Sequence, residues 1–345
     1  MTMHAVLRLI QSDFSKVILF FTLTIIASAI ASPWVYNAGM LLAEVGQSRA
    51  LNPLLDWLAN RCADATFAAF YNYTLLGCAI ILAGPFIMWF SLSNQSSLQP
   101  SKPWRIRLPT SANTRQNGQA LCRNPKAKLH LAIGFLITGS LVSISICLLE
   151  MIAWFSFAQS PDYWSAICNG VASAIVITLL SEWIFRGILM GVFLRAMRPA
   201  MAMVFISLFY AIIYSLLPNG NEMIANPDKA DAGFRMIITI AKNLLSPEKF
   251  TFSFMLLFSL GLVLAYARYR TASLWLPIGL HFGFIFPYQT LQQLTESGTQ
   301  HSPFSRLLIG SDGRSGLLPF CLLLLSALLV HIFIQVSESK RRSET

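Results

Sequence analysis

The apolar run LLSEWIFRGILM, residues 179–190, contains a carboxylate and a guanidinium four positions apart, Glu182 and Arg186. On a helix they stand one turn apart on one face, with the acid on the N-terminal side, the favoured order for an ion pair. Ionisable groups in hydrocarbon cost at least about 2.5–3.5 kcal/mol each, so they face the protein interior and have partners. Taken alone, the pair is a structural one in which each charge neutralises the other. His281 lies about ten residues into a second apolar run, TASLWLPIGLHFGFIF, residues 271–286. At the helical rise it sits roughly 15 Å from the cytoplasmic end, and Glu182 roughly 20 Å. The two can therefore share one polar site on different helices. Glu150 and His331 lie nearer the ends of their runs and read as interfacial or snorkelling groups.

The chain around these residues is membrane-grade. It has 345 residues, 55% of them hydrophobic and only 12% charged, where a soluble domain carries about 25% charged. Several windows of about 20 residues hold almost no charge, enough to cross a core of about 30 Å. The expected fold is all-α, a polytopic membrane helical bundle of about eight transmembrane helices. The spans fall near 17–36, 66–92, 129–157, 165–192, 199–217, 250–267, 271–290 and 316–335. Ala27-Ser28-Ala29 also fits the cleavage site of a leader covering residues 1–31. The sixteen residues ahead of the apolar run favour retention.

The net charge of +10 follows topology. With both termini cytoplasmic, inside segments outnumber outside ones in Lys and Arg by roughly two to one, the usual asymmetry. This explains the basicity without nucleic acid. The expected organisation is a two-helix N-terminal unit over 1–92, a basic cytoplasmic linker over 93–128, a six-helix core over 129–335 and a basic tail over 336–345. The linker holds seven cations and no acid, so it could touch anionic lipid as well as signal topology. GFRMIITIAKNLL, residues 233–245, reads as an interfacial or re-entrant amphipathic helix in an outer loop. Six scattered cysteines form no CxxC pair, which argues against a disulfide framework or a zinc site. No phosphate loop or nucleotide fingerprint is present, and no cofactor or metal is expected.

Three stretches in order, SEWIFRG (181–187), FYAIIY (209–214) and LGLVLAYARYRTASLWLPIGLH (260–281), resemble the CPBP family. These are the CAAX prenyl endopeptidases and the bacterial bacteriocin-processing and self-immunity relatives. The resemblance covers about 165–290. It implies an integral protein of a bacterial cytoplasmic membrane and intramembrane endoproteolysis of hydrophobic or lipid-modified peptides. The family pattern is Glu-Glu-x-x-x-Arg, then Phe-x-x-x-His, then His-x-x-x-Asn or Asp. Its first Glu and first His are thought to activate water, the second His and the amide to hold the oxyanion, and the second Glu and Arg to support the site.

Mapped onto this chain, the first Glu position is Ser181 and the second is Glu182, followed by Arg186. The first His falls on Tyr214, with Tyr210 in the Phe slot. His281 matches the second His, and the amide position is Ile285. A serine hydroxyl has no useful basicity near neutral pH, and a phenol cannot replace a neutral imidazole as base. Glu182, rotated about 100° from residue 181, is expected to face Arg186 rather than the water position. One histidine and one paired carboxylate are too few for catalytic zinc. The expectation is therefore a CPBP-fold protein that has lost, or nearly lost, peptidase activity. Its partners would be the lipid bilayer and a hydrophobic or lipid-modified peptide or another membrane protein. A divergent active endopeptidase is the first alternative, and a membrane transporter or channel the second.

Overall fold

The computed structural model describes residues 13–49, 52–93, 126–151, 162–217, 223–244, 253–295 and 316–343. Most of the 93–128 linker and the last two residues of the tail lie outside them. The elements are helices: α1 Asp13–Ser48, α2 Pro53–Ala63, α3 Phe67–Ser93, α4 Ala127–Met151, α5 Tyr163–Ser181, α6 Met190–Ala196, α7 Pro199–Ser215, α8 Ala232–Leu244, α9 Met255–Thr271, α10 Trp275–Leu294 and α11 Leu317–Ser343. Between α5 and α6 the helix continues unbroken as a π-helical segment, Glu182–Leu189.

A polytopic helical membrane bundle is what the sequence requires and what these helices form. Each expected span coincides with a helix. Among the described residues, five stretches are long and apolar enough to cross a bilayer: Ser15–Ser48, Phe67–Phe86, Ala127–Cys147, Tyr163–Leu194 and Leu317–Ser337. Helices α7 and α9 have 17 residues each, about 26 Å at the helical rise. Helix α1, by contrast, runs twelve residues past its expected end, and α2 is a short helix for which the apolar pattern gave no sign.

The chain divides into two compact units, Met1–Lys102 with Ile212–Phe250 and Pro103–Ala211 with Thr251–Thr345. In the first, α1, α3 and α8 share a core of Ala29, Phe67, Ala68, Tyr71, Ala232, Met236 and Ile240. The helix expected over 233–245 is present as Ala232–Leu244, and its Ala232, Met236 and Ile240 lie against α1 and α3. The approach is close: a Cβ on Gly233 would run into the carbonyl of Ala29. Asn37 adds a tie by donating its side-chain amide to the Asp228 carbonyl at 3.1 Å. Small residues let the backbones meet, the usual solution where lipid supplies no hydrophobic drive between helices.

In the second unit α10 is the central helix, packed chiefly on α4 and α5. Its contact with α4 is a backbone seam. A Cβ on Gly279 would strike the Leu131 carbonyl, and one on Gly283 would meet the Gly139 nitrogen at 2.8 Å. The Thr138 hydroxyl donates across the seam to the Leu280 carbonyl at 2.7 Å. His281 sits between these two glycines in the sequence, so the seam fixes its height against the neighbouring helices.

A buried Glu–His–Tyr–Arg cluster

The π-helical segment opens at Glu182, and its closing bond runs from the Met190 N–H to the Phe185 carbonyl, five residues back. Such widened turns occur often at functional sites. Along it Glu182, Phe185, Arg186, Gly187 and Leu189 are buried, whereas Trp183 is exposed. The buried side carries both charges.

Helices α7, α9 and α10 complete the surroundings. Arg186 Nη1 donates to Glu182 Oε1 at 3.0 Å, and its Nη2 donates to the Gly261 carbonyl of α9 at 3.2 Å. His281 Nδ1, from α10, lies 2.8 Å from the same Oε1. On the far side of the ring, Nε2 meets the hydroxyl of Tyr210, from α7, at 3.2 Å. The Arg186 guanidinium also stands over the Tyr210 ring, 4.5 Å from its centroid, a cation–π contact. Phe185 closes the edge of that ring at 5.1 Å. Glu182, Arg186 and His281 are each 0% exposed and Tyr210 is 1% exposed.

The bonds assign the protons. A carboxylate accepts, so Nδ1 carries the ring hydrogen toward Glu182; Nε2 then accepts from the Tyr210 phenol. Arg186 and Glu182 cancel each other's charge, which is what makes their complete burial tolerable. Two atoms have no partner, Glu182 Oε2 and Arg186 Nε.

The residues singled out in the sequence are treated unequally. Glu182, Arg186 and His281 come together. Ser181 is buried one residue before Glu182, its hydroxyl turned back onto the carbonyl of Ile177 in its own helix. Ile285 is half-buried and apolar. Tyr214 is half-buried near the end of α7, in the stretch that belongs to the first unit. The tyrosine that reaches His281 is Tyr210, one turn earlier. Sequence reasoning noted it only as the occupant of a Phe slot, and the hydroxyl it adds there was the available signal. Glu150 is exposed near the end of α4. Among the described residues no group of three or more His, Cys, Asp or Glu side chains converges as a metal site requires.

Residues 163–286 match the model of a family described as type II CAAX prenyl endopeptidase Rce1-like. This segment resembles the Rce1-like family. The match agrees with the CPBP resemblance and holds Glu182, Arg186, Tyr210 and His281 within its limits. No curated protein and no solved structure matches the chain. The apolar helices are those of an integral membrane protein, and the matched segment within it is similar to the CAAX prenyl endopeptidases.

Proposed function

We propose that this CAAX protease-like protein has little or no peptidase turnover and acts by binding a hydrophobic peptide, a lipid-modified chain or another membrane protein. The observation that carries the reading is the saturation of His281. Its Nδ1 is held by Glu182 and its Nε2 by Tyr210, so no imidazole lone pair faces a water. The Ser181 hydroxyl is engaged with its own helix and is no base in any case. Glu182 has one oxygen shared between the Arg186 guanidinium and His281. Glu182, Arg186 and His281 are then the supporting half of a protease site, with Ser181 and Tyr214 at the altered positions. Both termini face the cytoplasm of a bacterial cell in this reading, because the cations crowd that side.

The test is incubation of the purified protein with fluorogenic and prenylated peptides. No turnover above blank is expected, and turnover abolished by His281→Ala overturns the proposal. A second reading, a divergent endopeptidase, draws on the one free oxygen of the cluster, Glu182 Oε2, which could take a proton from water. Under that reading Glu182→Gln removes any measured cleavage; unchanged cleavage would eliminate it.

A further inference from the structure

The hydroxyls buried along these helices share one habit. Thr24, Thr74 and Thr138 each donate to the carbonyl four residues back. Ser145 and Ser326 donate to the one three back, and Ser181 to Ile177. Each bond satisfies a polar group on its own helix where no water is at hand. Thr178 departs from the habit. Its residue is 1% exposed, yet its Oγ1 has no partner among the described residues.

The departure falls one turn before Glu182. The Glu182 N–H donates to the Thr178 carbonyl, so the two side chains stack on one face of the helix. Gly170, Ala174, Thr178 and Glu182 are buried along that face, and Gly170 lies against Thr290 of α10. Glu182 gives one oxygen to two partners, since Oε1 meets both Arg186 and His281. Its Oε2 has none among the described residues. A helical side chain leans over the turn N-terminal to its own Cα. That puts the Glu182 carboxylate over the turn that Thr178 opens.

The two orphaned oxygens are complementary. Oε2 of an ion-paired carboxylate only accepts, whereas a threonine hydroxyl both donates and accepts. No direct bond joins them, because neither has a partner. Cβ atoms one turn apart are about 5–6 Å apart, and two O–H···O bonds in series, each about 2.8 Å, span a similar distance. One water serves both ends by accepting from Thr178 Oγ1 and donating to Glu182 Oε2. Two to four polar partners hold a buried water. A metal cation fits poorly: it wants about six oxygen ligands and would stand near the Arg186 guanidinium. We infer that Thr178 and Glu182 hold an internal water, which gives the second carboxylate oxygen its donor. Thr178 is then a positioning residue for Glu182. The inference stands apart from either reading of turnover, and its test measures no cleavage.

The experiment is infrared spectroscopy of the full-length protein in bilayers hydrated with ordinary water or with water of a heavy oxygen isotope. A confined water gives an O–H stretching band that moves with the mass of its own oxygen; a threonine hydroxyl gives none. Wild type and Thr178→Ser should share such a band. Thr178→Val, which keeps the shape and removes the hydroxyl, should lose it. An isotope-sensitive spectrum equal in wild type and Thr178→Val overturns the site. If that variant also melts at a lower temperature, the hydroxyl bonds Glu182 directly. A crystal structure of the wild type needs no variant and decides the matter if Thr178→Val does not fold. A water within hydrogen-bond distance of both oxygens is expected there, and a direct bond between them, or no water at that place, overturns the proposal.

Discussion

Arg186 holds the buried cluster at three points. It neutralises Glu182, closes onto the Gly261 carbonyl and covers the Tyr210 ring, all without solvent. Arg186→Leu strands a carboxylate in the interior, where breaking a buried pair costs roughly 3–5 kcal/mol. Thermal unfolding in detergent should fall accordingly, and an unchanged midpoint contradicts the buried pair. Tyr210→Phe removes the hydroxyl that meets His281 Nε2 and leaves that buried nitrogen unsatisfied, a cost of about 1–3 kcal/mol and smaller than that of Arg186→Leu in the same assay. The ionisable members of this cluster were legible in the sequence, because Glu182, Arg186 and His281 interrupt apolar runs and must find partners. Tyr210 was not, because a neutral aromatic in a membrane helix breaks no rule and its hydroxyl shows its use only beside His281. Helical rotation turned Glu182 toward Arg186 and matched depth allowed it a site shared with His281; in the structure one oxygen serves both.

At the scale of elements, the α4–α10 seam is the tightest control on the site. Gly279→Ala and Gly283→Ala each force backbone apart where no flexible side chain can yield, a cost of about 1–3 kcal/mol per overpacked position. Both should lower thermal stability without touching a polar group of the cluster. A loss confined to one of them shows that the seam opens locally. The glycines themselves were visible in the sequence, but which helix they meet is a long-range fact. Helix α8 makes the same point. Its period-of-helix pattern was read correctly, yet an apolar face looks alike whether it meets lipid or Ala29, Ala68 and Tyr71. The π-helical turn after Ser181 left no sequence sign at all, since a widened turn is decided by what packs on either side of it.

For the molecule as a whole, hydrophobicity and the distribution of Lys and Arg carried most of what could be known early. The helices stand where the apolar runs stand; their lengths do not follow, because α1 continues as helix to Ser48 through sequence that is no longer uniformly apolar. Reporter fusions at the two ends test the proposed orientation: both should report the cytoplasm, and a split result refutes an even number of crossings. The composition of the first unit gives another expectation. Residues 1–93 expressed alone should be degraded or aggregate, because the faces of Ala29, Ala68 and Tyr71 that α8 covers are left open. Supplying residues 212–250 as a separate segment should raise the steady-state level of the fragment, and no rise argues that α8 contributes nothing to its stability.

That discontinuity has a temporal side. The ribosome finishes α3 about 150 residues before it finishes α8, a lag of roughly eight to thirty seconds at ordinary elongation speeds. Throughout it, the nascent first unit sits in the bilayer with its future α8 groove unfilled while later helices emerge. An insertase or membrane chaperone that shields small-residue grooves would have its longest engagement with this protein during that interval.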